Sequence, residues 1–130
     1  MAAQAVPEWQ RVLDELLGSD LVAAGAQAGF AGLSAGSAIG VPLVAAEPRI
    51  RAAVLGLVGI ETLAEAAARI TVPVEFLLQW DDELVPRDAV LALFGAIGSA
   101  DKTLHANPGG HVDIPAHELD GSVRFFRRHL

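Results

Sequence analysis

Residues 32–36 are Gly-Leu-Ser-Ala-Gly, which fits the G-x-S-x-G pattern of a nucleophile elbow. In such an elbow a serine lies in a sharp turn between a strand and a helix, and its hydroxyl is held clear of the backbone. Only small neighbours are tolerated there, which explains the two glycines. Ser34 is therefore a candidate nucleophile, and the N–H of Ala35 is a candidate oxyanion donor. Because the chain has 13 glycines in 130 residues, a tight glycine-rich turn without chemistry is the alternative.

Apolar runs and helical segments alternate along the chain. Short apolar runs, which are typical of strands buried in a parallel sheet, cover residues 27–33, 50–57, 74–79 and 102–105. Helices are predicted over residues 7–17, 35–47 and 61–69, from Pro86, and from about Ala116; in the second of them Pro42 should cause a kink or a break. This alternation predicts an α/β fold in three layers, with a short parallel sheet of about four strands flanked by helices.

Length and composition limit the class of protein. A chain of 130 residues fits one domain, residues 1–130, and 52% hydrophobic residues exclude disorder. The net charge of −7 argues against nucleic acid or an anionic membrane as a partner. The absence of cysteine excludes a thiol nucleophile. The start at Met1 lacks the pattern of a signal peptide and no apolar stretch could span a bilayer, so we expect a cytoplasmic protein.

Three polar residues each follow a predicted strand: Ser34, Asp82 and His111. Ligands bind at the carboxyl ends of the strands in open α/β sheets, so we expect these side chains to lie near one another. Ser34 would attack a carbonyl carbon, His111 would take its proton, and Asp82 would hold the imidazole in one tautomer. Asp82 is favoured over the adjacent Asp81 because it stands four residues before Pro86, and Asp81 remains the alternative acid.

Each of these residues also has an ordinary structural explanation. An aspartate after a strand is often a helix cap, and His111 could be a plain loop histidine. A metal site made of His105, His111, Asp113 and His117 is a weaker alternative, because no H-E-x-x-H or C-x-x-C spacing supports it. Neither G-x-G-x-x-G nor the P-loop pattern occurs. We therefore expect neither a metal nor a cofactor.

Four stretches together carry a resemblance to a known family: Gly-Leu-Ser-Ala-Gly at 32–36, Pro-Arg-Ile-Arg-Ala-Ala-Val-Leu-Gly-Leu at 48–57, Val-Pro-Val-Glu-Phe-Leu-Leu-Gln-Trp-Asp-Asp-Glu-Leu-Val-Pro at 72–86, and Gly-Gly-His at 109–111. The chain resembles the C-terminal half of a dienelactone-hydrolase-like α/β-hydrolase, of the serine esterase superfamily. The resemblance implies an esterase or lactonase that acts on small carboxylic esters through an acyl-enzyme, with Ser34, Asp82 and His111 as the catalytic triad.

The chain departs from that family in two respects. The first four strands of the family fold are missing, together with the loop that supplies the second oxyanion donor, and dienelactone hydrolases proper have cysteine where this chain has Ser34. A truncated, weakly active or inactive scaffold that serves as an interaction module is therefore the alternative function. The missing strands would leave residues 27–33 as an open sheet edge and expose the apolar face of the first helix. We expect a homodimer or larger assembly through that edge.

Overall fold

A parallel sheet of four strands forms the centre of the computed structural model, which describes residues 2–130. The strands are β1 (Ala28–Ala31), β2 (Ile50–Gly56), β3 (Val74–Gln79) and β4 (Lys102–Asn107). They lie side by side in chain order, and every neighbouring pair is parallel. Met1, the first residue of the expected domain 1–130, lies outside the described residues. The prediction of a four-stranded parallel α/β fold is confirmed.

Five α-helices connect and flank the strands: α1 (Val6–Leu17), α2 (Ala35–Ala46), α3 (Ala64–Ala68), α4 (Arg87–Ala96) and α5 (Ala116–His129). The larger core cluster includes Val41 and Leu43 of α2, Phe76 of β3 and Leu93 of α4. The smaller one joins Phe125 of α5 to Ala52, Val54 and Leu77. Helices therefore cover both faces of the sheet, and α5 packs on the opposite face from α2 and α4.

Some boundaries differ from those predicted. β1 is shorter than residues 27–33 because the chain leaves the sheet after Ala31 to form the elbow, and β4 is longer because it pairs with β3 up to Asn107. The segment 61–69 divides into a 3₁₀ turn (Glu61–Leu63) and α3. The helix α2 runs through Pro42, so that residue is not a break. The buried side chains of α2 offset the lost backbone hydrogen bond.

The sheet is open at β1, which pairs with β2 alone among the described strands. Beside it, α1 buries none of its side chains, and Trp9, Val12 and Leu16 are 44–50% exposed. These residues line an apolar groove between α1 and β1 with a volume of about 370 Å³. Within residues 2–130, no helix has both the length and the apolar character to cross a membrane.

Candidate active site

Ser34 lies in the turn between β1 and α2, with φ 57° and ψ −119°. A positive φ costs a residue with a side chain about 1–3 kcal/mol, and it persists only where neighbouring contacts impose it. Here the Ser34 N–H donates to the carbonyl of Gly56 at 2.9 Å. A Cβ on Gly32 would lie 2.8 Å from the Phe30 ring and 3.0 Å from the carbonyl carbon of Gly36, so a side chain there would displace its neighbours.

Ser37 connects this turn to the sheet through two hydrogen bonds. Its side chain is fully buried, and its Oγ donates to the carbonyl of Gly32 at 2.6 Å and accepts the N–H of Gly56 at 2.8 Å. It therefore connects the end of β1 to the end of β2 directly below Ser34. This role of Ser37 was not predicted from the sequence, although a lone hydroxyl in an otherwise apolar helix is a signal for it.

A continuous chain of hydrogen bonds connects Ser34, His111 and Asp82. The Ser34 Oγ lies 3.0 Å from Nε2 of His111, and Nδ1 of His111 lies 2.7 Å from Oδ2 of Asp82. Because an aspartate oxygen accepts at Nδ1, that nitrogen carries the ring proton and Nε2 is left to accept from the serine hydroxyl. The structure thus brings together the three predicted residues from the ends of three different strands.

The carboxyl of Asp82 is oriented by the backbone as well as by the imidazole. Its Oδ1 accepts the N–H groups of Leu84 and Val85 at 2.8 and 2.9 Å. Burial alone would raise the pKa of Asp82, but the hydrogen bonds from His111 and from these two N–H groups outweigh it and hold the pKa below its usual value. The alternative acid, Asp81, accepts the N–H of Gly109 at 3.0 Å instead.

The loop that carries His111 has two further anchors. The Glu83 carboxylate accepts the backbone N–H of His111 at 3.1 Å, and the buried Gln79 amide donates to the carbonyl of Gly110 at 3.0 Å. These contacts fix the main chain on both sides of the imidazole. The sequence analysis did not identify either residue, because Glu83 resembles a solvated acid and Gln79 resembles the end of a strand.

The Ala35 N–H lies at the start of α2 and has no hydrogen-bond acceptor within residues 2–130. An amide at a helix N-terminus beside the serine hydroxyl is suited to stabilise an oxyanion. Ser34 and Ala35 also border a cleft of about 290 Å³. Its other walls are mainly apolar and include Ala38, Leu57, Val58, Ile60, Leu84 and Val85.

The four-residue metal site weighed in the sequence analysis does not form. His111 is engaged with Asp82, whereas His105 lies against Glu118, with its Nδ1 2.9 Å from Oε1. Across residues 2–130, the one group of three or more histidine or acidic side chains close enough to share an ion is Glu75, His105 and Glu118.

Several solved esterases resemble this chain over almost its whole length. A cold-adapted esterase from an Arctic intertidal metagenomic library, solved with zinc bound, is 38% identical with a TM-score of 0.92; the match covers 99% of this chain and 59% of that one. Esterase PE8 is 23% identical with a TM-score of 0.79, and the match covers 99% of this chain and 62% of that one. Est1E from Butyrivibrio proteoclasticus is 18% identical with a TM-score of 0.77, and the match covers 98% of this chain and 69% of that one.

No protein-family model and no curated protein matches the chain. The fold is α/β-hydrolase-like, and the two esterases below 25% identity add support for the fold alone. The chain spans about 59% of the length of the Arctic esterase.

Proposed function

We propose that this chain is a serine hydrolase that cleaves small carboxylic esters or lactones through an acyl-enzyme formed on Ser34. The observation that carries this proposal is the hydrogen-bonded chain from Ser34 through His111 to Asp82, which joins residues 77 positions apart in the sequence. The likeness to the Arctic esterase supports the same class of reaction. A dienelactone-hydrolase-like subtype is the finer assignment that we propose.

The chemistry follows from the proton positions. The Ser34 Oγ attacks the carbonyl carbon of the ester as its proton passes to Nε2 of His111, and the Ala35 N–H donates to the resulting oxyanion. The tetrahedral intermediate then expels the alcohol, which takes the proton from Nε2. Water, deprotonated by the same nitrogen, releases the acid from Ser34. Asp82 stays ionised throughout and stabilises the imidazolium.

The cleft beside Ser34 supports a small substrate. At about 290 Å³ it lies at the lower end of the range for ligand pockets, about 300–1,000 Å³. Its mainly apolar walls suit a short acyl or alkyl group more than a charged one.

Assembly belongs to the same proposal. One oxyanion donor, Ala35, is found among the described residues near Ser34, and loss of one such donor costs other enzymes about 10²–10³ in rate. We propose that a second copy pairs along the open edge of β1 and covers the groove beside α1. Light scattering that shows only monomer at micromolar concentration would contradict this arrangement.

Covalent labelling tests the chemistry directly. A fluorophosphonate probe should increase the intact mass of the wild-type chain and of a Ser99→Ala control by one attached probe group. It should leave the mass of Ser34→Ala unchanged. Hydrolysis of p-nitrophenyl acetate should follow the same pattern. A folded wild-type chain that resists labelling would refute the hydrolase and favour the inactive scaffold. Labelling that persists in Ser34→Ala would assign the reactivity to another site.

A further inference from the structure

A second polar cluster lies on the α5 face of the sheet. Glu75 of β3 and Glu118 of α5 are both buried, with side chains 4% and 6% exposed, and the half-buried His105 of β4 lies between them. One ligand atom from each of the three side chains lies within 4.8 Å of the other two. None of the three belongs to the Ser34–His111–Asp82 set.

The charges in this cluster are unbalanced. Within residues 2–130, no Lys or Arg lies within salt-bridge distance of Glu75 or Glu118, and their one basic neighbour at that range is His105. Buried carboxylates are costly unless they are paired with a cation or bind a metal.

Each carboxylate has one oxygen held by a neighbour and the other turned toward the histidine. Asn107 donates to Oε2 of Glu118 at 2.6 Å, which leaves Oε1 facing the ring. Ser122 donates to Oε1 of Glu75 at 3.1 Å. Among the described residues nothing donates a hydrogen bond to Oε2 of Glu75, and that atom lies 3.9 Å from Nε2 of His105.

One ion would take a single nitrogen of His105, and the ligand atoms that the three side chains offer lie within 4.8 Å of one another. Metal–ligand distances of about 2.0–2.2 Å place ligand atoms within about 4 Å of one another, so a small side-chain adjustment would close the set around an ion. Orienting partners such as Asn107 and Ser122 are also what carboxylate ligands have in established metal sites. Glu118 and Ser122 border an open cavity of about 410 Å³ between α5 and the sheet, which gives an ion a path to the cluster.

We propose that Glu75, His105 and Glu118 bind a divalent transition-metal ion, with water completing its coordination. The two carboxylates are hard oxygen donors that many divalent ions accept, and the imidazole nitrogen is the donor that favours Zn²⁺ over Mg²⁺ or Ca²⁺. The ion would connect β3, β4 and α5 and neutralise the buried charge, so its role is to stabilise the fold. The proposed site differs from the expectation of no metal. It shares only His105 with the four-residue metal site considered from the sequence.

The test uses the untagged, chelator-treated full chain. Isothermal titration with Zn²⁺ should give one site per chain, and Zn²⁺ should raise Tm where Mg²⁺ does not. His105→Asn should weaken Zn²⁺ binding at least about a hundredfold, and Asn107→Ala by about 10- to 100-fold. The exposed His117, next to Glu118 in sequence, provides a matched control, and His117→Ala should bind Zn²⁺ like the wild type.

Three results would overturn the site: no Zn²⁺ uptake by the folded wild-type chain, unchanged affinity in His105→Asn, or an equal loss in His117→Ala, which would indicate surface binding. If His105→Asn fails to fold, as judged by circular dichroism, Asn107→Ala and Ser122→Ala decide the matter. Both remove a donor to a carboxylate and leave the three ligands in place. Unchanged Zn²⁺ affinity in both would then refute the proposal. Labelling of Ser34 is a separate readout, so this site and the proposed hydrolase can fail independently.

Discussion

Replacing Ser37 with alanine isolates the contribution of the buried hydroxyl beneath the elbow. The change removes the donor to the Gly32 carbonyl and the acceptor of the Gly56 N–H, at a position with no exposed surface. Each buried backbone group left without a partner costs about 1–3 kcal/mol, so Ser37→Ala, which leaves two, should lower the free energy of unfolding by about 2–6 kcal/mol. With a typical urea m-value of about 2 kcal/mol/M, the midpoint should fall by about 1–3 M.

Ser99 provides the matched control. Its hydroxyl also makes two hydrogen bonds to backbone, donating to the Asp101 carbonyl at 3.1 Å and accepting the Asp101 N–H at 3.2 Å. Ser99 is buried too, but the Asp101 carbonyl keeps the Val74 N–H as a donor at 2.9 Å, so only one backbone group loses its partner and Ser99→Ala should cost about 1 kcal/mol. Urea unfolding of both variants at one protein concentration, followed by circular dichroism, makes the comparison. Equal midpoints for Ser37→Ala and Ser99→Ala would refute the argument that Ser37 fastens the elbow.

Three further predictions concern the site and its surroundings. Asp82→Asn should slow fluorophosphonate labelling by about 10⁴, because Oδ1 is held by two N–H donors and the new amide group faces the imidazole and reverses its tautomer. Asp81→Asn should change the labelling rate little, and the opposite ranking would make Asp81 the acid. Ser34→Gly should have a free energy of unfolding about 1 kcal/mol higher than that of Ser34→Ala in urea unfolding, because glycine accepts φ 57° without strain. Equal urea midpoints for the two variants would argue against strain in the elbow. The side-chain hydrogen bond from Arg49 lowers the pKa of Glu47, so its stabilisation is present above the usual glutamate pKa and lost as the pH falls. Glu47→Gln should therefore cost about 1–3 kcal/mol in urea unfolding at neutral pH and progressively less as the pH falls below the usual glutamate pKa, and a cost independent of pH would contradict the ion pair.

The sequence predicted the features that depend on local pattern. Apolar runs bounded by turns gave the four strands in the correct places, because buried parallel strands differ clearly from the amphipathic segments around them. The small residues around Ser34 located the elbow, since few other residues fit so tight a turn. Asp82 and His111 each follow a predicted strand, and this was enough to predict that they lie near Ser34.

Other contacts between residues distant in sequence were not predicted. Asp82 was favoured over Asp81 by its position alone, and the geometric choice requires knowing which carboxyl reaches the ring and which reaches the Gly109 N–H. The pairing of Glu75 with Glu118 joins residues on different elements that no spacing rule connects. At Pro42 the sequence allowed a kink or a break, and the helix is not broken there because the packing of its buried side chains outweighs the local cost of the proline.

The loop around His111 has a consequence for how the molecule opens. Its amide groups at Gly109 and His111 donate to Asp81 and Glu83, which flank Asp82 in one turn after β3. A loop attached this way opens together with the turn, as one cooperative unit. In hydrogen exchange, these two amides should therefore be as protected as the end of β3 and far slower than those of an untethered surface loop. On warming, the imidazole should lose its alignment only when that end of the sheet melts.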